Sequence, residues 1–104
     1  MAWNFRHKYR AVPTEIDGSK FASKKEATYF QKLGYAKQAG EILFFLRQVP
    51  FHLPGGVTYR CDFVEFWANG EVRFTDVKGF KTREYINKKK MVEELYTPVK
   101  ILEV

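Results

Sequence analysis

Tyr59-Arg60-Cys61-Asp62-Phe63-Val64-Glu65-Phe66-Trp67-Ala68-Asn69-Gly70-Glu71-Val72-Arg73-Phe74-Thr75-Asp76-Val77-Lys78 reads as two strands joined by a tight turn. Aromatic and β-branched residues fill both arms, and Asn69-Gly70 is a strong hairpin signal. A two-residue Asn69-Gly70 loop would pair Ala68 with Glu71 and scatter the apolar pattern. A three-residue loop with Gly70 in the left-handed position of a bulge instead sets Ala68, Phe66, Val64 and Asp62 opposite Val72, Phe74, Asp76 and Lys78. All eight side chains then share one face, because side chains alternate along a strand. That face is apolar near the turn and charged far from it. Two carboxylates and an ammonium at the edge of a core must be paired, solvated or bound to a metal. Asp62, Asp76 and Lys78 are therefore the first site candidates, with a simple ion-pair cluster as the alternative.

Upstream, Glu41 to Val49 alternates in the manner of a strand, and the run Ile42-Leu43-Phe44-Phe45-Leu46 suggests one covered on both faces. Pro50 ends it or marks an edge. Pro54-Gly55-Gly56 is a loop before the strand from Tyr59 to Ala68, and Glu71 to Lys78 is the third strand. Ser23-Lys24-Lys25-Glu26 has the pattern of a capping box, which opens a helix from Lys24 to Ala39. Ala27, Phe30, Leu33 and Gly34 form its buried stripe, and Gly40 is placed as a left-handed cap. Residues 1–20 show no sustained period and read as a basic arm or loop with a turn at Asp17-Gly18. Downstream, Thr82 caps a helix reaching Tyr96, with Tyr85, Ile86, Val92, Leu95 and Tyr96 at helical offsets. Pro98 breaks it, and Val99 to Val104 is a last strand. The order α-β-β-β-α-β predicts an α/β (α+β) chain with one mixed central sheet flanked by helices, in a single domain spanning 1–104.

With 104 residues, 45% of them hydrophobic and 29% charged, the chain fits one core. No apolar run approaches the roughly 20 residues needed to cross a bilayer, so no membrane partner is expected. The basic N-terminal residues lack the apolar stretch of a secretion signal. Cys61 is the sole cysteine, which excludes disulfides and multi-cysteine zinc sites and suggests a cytoplasmic setting. His7 and His52 are not at metal-ligand spacing.

The formal net charge of +6 suits a polyanionic partner, and its distribution is more informative. Residues 1–25 carry six basic and two acidic side chains, and residues 81–90 carry five and one. Between them, residues 59–80 hold Asp62, Glu65, Glu71 and Asp76 against Arg60, Arg73 and Lys78. An acidic centre between basic flanks matches what a nuclease requires, since divalent metals take carboxylates and phosphates take Lys and Arg. A merely solvated charged surface is the alternative.

Together these residues resemble the PD-(D/E)XK, or restriction-endonuclease-like, nuclease superfamily. Its core is similar to the order above, and its motif places an Asp in the second core strand, an acidic-x-Lys tripeptide in the third and often a Glu in the first helix. The matching residues are Asp62, Asp76-Val77-Lys78 and Glu26. More narrowly, Tyr9-Arg10-Ala11, Phe21-Ala22-Ser23-Lys24-Lys25-Glu26-Ala27, Arg60-Cys61-Asp62-Phe63 and Asp76-Val77-Lys78-Gly79-Phe80 resemble a group of small bacteriophage proteins formerly of unknown function and later placed in this superfamily. The chain departs from the commoner pattern in having Cys61 before Asp62, and Asp76 where Glu is usual.

The resemblance implies a metal-dependent endonuclease that hydrolyses DNA phosphodiester bonds, in the host cytoplasm if phage-encoded. Mg²⁺, with Mn²⁺ as substitute, would be held by Asp62, Asp76 and the Val77 carbonyl, and Lys78 would orient or deprotonate the attacking water. Glu26 would bind a second metal or a metal-bound water; its alternative role is the capping box. Gln48 is an accessory candidate or an exposed strand-end amide. Lys81 and Arg83 are placed to meet the strand being cut, and Lys88, Lys89 and Arg10 extend the nucleic-acid contact. A bare core leaves little protein for reading sequence, which suggests branched DNA such as a Holliday junction, and a homodimer would explain cutting of two strands. The other function class is a non-catalytic nucleic-acid-binding module on the same fold.

Overall fold

The structure is a computed structural model that describes residues 14–16 and 18–104. Its elements run β1 (Thr14–Ile16), β2 (Ser19–Phe21), α1 (Lys24–Gln38), β3 (Ile42–Leu53), a 3₁₀ turn (Pro54–Gly56), β4 (Val57–Trp67), β5 (Val72–Asp76), α2 (Arg83–Leu95) and β6 (Ile101–Glu103). The mixed α+β architecture is the expected one: a four-stranded sheet ordered β3-β4-β5-β6, antiparallel except for the parallel β5–β6 pair, with two helices against it. Among the described residues, no helix is long and apolar enough to cross a membrane. Arg10 and the remainder of the N-terminal arm lie outside the described residues.

Four features differ from expectation for identifiable reasons. In place of the arm or loop expected over residues 1–20, Thr14–Ile16 and Ser19–Phe21 pair as two antiparallel three-residue strands, with Gly18 at φ +79°. Strands that short carry no readable period. β3 does not end at Pro50, which instead marks an edge, the other of its two expected roles: the strand runs on to Leu53 as the outer strand of the sheet, where a residue without an N–H is tolerated. Nor is β3 covered on both faces: Leu43, Phe44 and Leu46 are exposed. At the end of α2, Leu95 and Tyr96 are also exposed, and the buried part of the stripe is Tyr85 and Val92.

The turn contains the expected three-residue loop, shifted by one position. Trp67 and Glu71 close it, Gly70 N–H donates to the Trp67 carbonyl at 3.0 Å, and Gly70 takes φ +92°. Phe66 therefore pairs with Val72 and Val64 with Phe74, two residues away from the expected partners. A slip of two preserves which face each side chain occupies. Continued past Phe63–Thr75, this register sets Asp62 opposite Asp76 rather than Lys78.

Two cores flank the sheet, and the long β3–β4 hairpin passes between them. Against α1 pack Phe21, Ala27, Leu33, Ile42 and Phe63; with α2 pack Leu53, Tyr59, Cys61, Val64, Tyr85, Val92 and Ile101. Cys61 and Phe63, two residues apart, thus lie in opposite cores, where regular alternation would put them together. Phe45 and Val49 on β3 divide in the same way. The switch falls at Gln48 and Asp62, between the ladder pairs Arg47–Phe63 and Val49–Cys61. Gln48 has φ +53°, the one non-glycine residue with positive φ among those described. A left-handed backbone at a residue with a Cβ costs on the order of 1 kcal/mol or more and tends to occur at functional sites.

Candidate functional site

At this switch the N-terminal ends of α1 and α2 approach the sheet, and four elements bring Glu26, Gln48, Asp62, Asp76 and Lys78 together. Ser23 accepts a hydrogen bond from Glu26 N–H at 3.1 Å, which starts α1 and delivers the Glu26 side chain inward. That carboxylate is buried, with Oε2 3.5 Å from Gln48 Nε2 and 3.7 Å from Arg47 Nη2. Gln48 also donates to Asp62 Oδ1 at 3.1 Å. Glu26 is therefore joined to Asp62 through an amide. Asp62 Oδ2 accepts from Val77 N–H at 2.9 Å, which ties the middle of β4 to the chain leaving β5.

Asp76 is 1% exposed. The edge strand β6 fixes its backbone: Val104 N–H donates to the Asp76 carbonyl at 3.0 Å, and Lys78 N–H donates to the Val104 carbonyl at 3.1 Å. One carboxylate oxygen, Oδ2, accepts from the Tyr59 hydroxyl. The other, Oδ1, is buried with no hydrogen bond, and Lys78 Nζ stands 3.5 Å away. Lys78 Nζ also sits 4.2 Å from the centre of the Tyr85 ring, a cation–π contact. Burial, followed by the neighbouring Asp62 carboxylate, pushes Asp76 up to about 7 against the opposing effects of Tyr59 and Lys78. Burial and Asp62 raise Glu26 as well, opposed by Arg47. In both groups burial is the larger cause, and the charge of Asp62 adds to it.

Above Asp62 opens a cleft of about 380 Å³ lined by Ser23, Lys24, Lys25, Glu26, Val77, Lys78, Gly79 and Phe80, among others. Lys25 Nζ donates to the Lys78 carbonyl at 2.9 Å, closing one side. On the other side, Arg60 and Lys88 line a smaller cleft together with Tyr59, Lys78 and Tyr85. The expected contact residues divide: Lys81 pairs with Glu103 at 2.8 Å, Lys88 with Glu84 at 3.5 Å and Lys89 with Glu93 at 3.7 Å, while Arg83 opens α2 as an exposed side chain. Sequence reading did not single out Tyr59, Arg47 or Lys25 for the site. Tyr59 had no signal beyond its place three residues before Asp62, and Arg47 became relevant only through the turn at Gln48. Cys61 offers no nucleophile, since burial pushes its thiol up to about 12.

The donor set fits a hard divalent cation. Mg²⁺ keeps several waters and needs only one or two carboxylates, and Asp62 beside Asp76 Oδ1 supplies them. Among the described residues, no three His, Cys, Asp or Glu side chains form a closed metal-ligand cluster, as the Gln48 amide between Glu26 and Asp62 makes plain.

A family profile described as "Protein of unknown function (DUF1064)" matches residues 6–104. The chain belongs to the DUF1064 family. No curated protein and no solved structure matches it. Within this DUF1064 chain the matched span contains every candidate named above, from Arg10 to Arg83, Lys88 and Lys89.

Proposed function

We propose that this chain is a divalent-metal-dependent nuclease of PD-(D/E)XK type that hydrolyses DNA phosphodiester bonds. The observation that carries the reading is the buried, unbonded Oδ1 of Asp76 beside Asp62 and within 3.5 Å of the Lys78 ammonium. Lys78 meets that oxygen only as an ion pair, without a hydrogen bond, so a buried carboxylate oxygen keeps lone pairs that a further cation would satisfy. The resemblance of Glu26, Asp62 and Asp76-Val77-Lys78 to the superfamily motif supports the same reading. Asp62, Asp76 and the Val77 carbonyl would hold Mg²⁺ or Mn²⁺, with Glu26 joining through Gln48 or a second ion. When bound, such an ion lowers the pKa of water and stabilises charge on phosphate oxygens.

The chain's own groups do the rest. Lys78 is placed to orient the attacking water and to offset charge on the scissile phosphate. Lys25 lines the larger cleft and Arg60 the smaller one, where they would meet the backbone on either side of the cut, and Arg83, Lys81, Lys88 and Lys89 would extend the track. Branched DNA as substrate and a two-fold dimer as the cutting species belong to the same proposal. A non-catalytic binding module would be better served by removing the acids, since they repel phosphate. The test is purified protein with Mg²⁺, Mn²⁺ or EDTA on labelled linear, single-stranded, flapped and four-way DNA. Metal-dependent cutting of at least one is expected, and no cutting of any would overturn the enzymatic reading.

A further inference from the structure

Ordinary alternation would put Tyr59 and Asp76 on opposite faces of the sheet. In the β4–β5 register the even-numbered residues Val64 and Phe74 share the α2 side, and an unbroken β4 would turn Tyr59 towards α1. The face switch at Gln48 and Asp62 reverses this, bringing Tyr59 into the α2 core beneath Asp76. There the Tyr59 ring is fixed between Phe51 and Tyr85, with ring centres 6.1 Å and 6.3 Å away, and is 4% exposed. Its hydroxyl donates to Asp76 Oδ2.

We infer that Tyr59 is a positioning residue for the cation: by holding Asp76 Oδ2 it fixes Oδ1 as the oxygen presented to a divalent metal. The inference rests on the nuclease reading above and adds a residue to it. The terminal torsion of a carboxylate is broad and two-fold, so an unheld Asp76 could offer either oxygen or turn both towards Lys78. A neutral hydroxyl fixes one oxygen without cancelling the charge that attracts the cation, which a lysine in its place would do. One strand thus supplies both a ligand, Asp62, and the support for its cross-strand partner. The strained turn at Gln48 is what makes that double use possible.

Outer hydrogen-bond partners of metal ligands typically contribute about 10–100-fold to metal affinity. The experiment is Mn²⁺ binding to the full chain without DNA, followed by electron paramagnetic resonance, for wild type, Tyr59→Phe, Tyr29→Phe and Asp76→Asn. Tyr29→Phe is the matched control, because it also removes a tyrosine hydroxyl that donates to a buried carboxylate, here Glu65 at 2.6 Å on the α1 side of the sheet. Both variants keep the ring, and melting in EDTA measures what each loses in folding. Tyr59→Phe is expected to weaken Mn²⁺ about 10–100-fold, Tyr29→Phe to leave it unchanged, and Tyr59→Phe combined with Asp76→Asn to bind no more weakly than Asp76→Asn alone. Cutting by Tyr59→Phe should recover at saturating Mn²⁺. Wild-type Mn²⁺ affinity in folded Tyr59→Phe, or equal weakening in Tyr29→Phe, would overturn the positioning role while leaving the nuclease reading intact. Wild-type protein whose Mn²⁺ binding is insensitive to Asp76→Asn would instead overturn the metal site itself.

Discussion

Asp76→Asn should make the metal-free protein more stable at alkaline pH while abolishing its chemistry. Asp76 is 1% exposed and raised from 3.8 to about 7, chiefly by burial and then by Asp62. A carboxyl whose folded pKa lies above its unfolded value contributes its full stabilisation below the unfolded value and loses it as pH rises through the folded one. The window here runs from about 4 to 7, and the charged form costs at most about 4 kcal/mol above it. Part of that belongs to Asp62, and Lys78 loses a neighbour in the variant, so a net gain of about 1–2 kcal/mol in EDTA at pH 8 is the expectation. At roughly 4–8 °C per kcal/mol for a domain of this size, thermal melting resolves it. The gap should close near pH 4, and Mg²⁺ should raise the melting point of wild type alone. Single-turnover cutting should fall by several orders of magnitude, while DNA affinity in EDTA stays equal or rises because a negative charge beside the phosphate path is gone. If Asp76 merely pairs with Lys78, the variant will melt below wild type at pH 8 and its folded fraction will cut normally. A folded, DNA-binding Asp76→Asn protein with the wild-type cutting rate refutes the site.

Lys78→Ala should reduce cutting at least 100-fold with Mn²⁺ affinity retained, and Lys78→Arg should not restore it, since the ammonium sits as a compact charge over the Tyr85 ring; single-turnover rates and metal titration check both. Gln48→Gly relieves a backbone at φ +53°, so melting should stay within about 1 kcal/mol of wild type, whereas loss of the amide joining Glu26 to Asp62 should slow cutting. Arg83→Ala should weaken DNA binding and reduce the salt slope by about one; Lys81→Ala should do less because Glu103 already holds that ammonium at 2.8 Å, and a salt titration of affinity separates the two.

Much of the sheet was legible because its signals are local. Gly70 fixes the turn, and the alternation of Val72, Phe74 and Asp76 fixes a face, so an error of two residues in register moved no side chain to the wrong side. Ser23 and Thr82 likewise mark both helix starts through their own hydroxyls. What remained hidden depends on contacts between distant residues. Nothing in Leu46-Arg47-Gln48-Val49 announces a left-handed residue, because no glycine or asparagine is there to permit it cheaply. Without that turn Tyr59 reads as one more core aromatic, and Arg47 as a surface cation. The acidic cluster could be anticipated at Asp62, Asp76 and Lys78, but the amide between Glu26 and Asp62 could not. Leu43, Phe44 and Leu46 looked covered on both sides because an apolar run does not show which strand lies at the edge.

The most direct measurement is single-turnover cleavage of labelled DNA by wild-type and Asp62→Asn protein, purified side by side, in Mg²⁺ and in EDTA. Cutting by wild type in Mg²⁺, lost in EDTA and lost in Asp62→Asn protein that still folds and binds DNA, is the expected result. Equal cutting by the two proteins, or none by wild type on linear, single-stranded, flapped or four-way DNA, would contradict a metal-dependent nuclease site between Asp62 and Asp76.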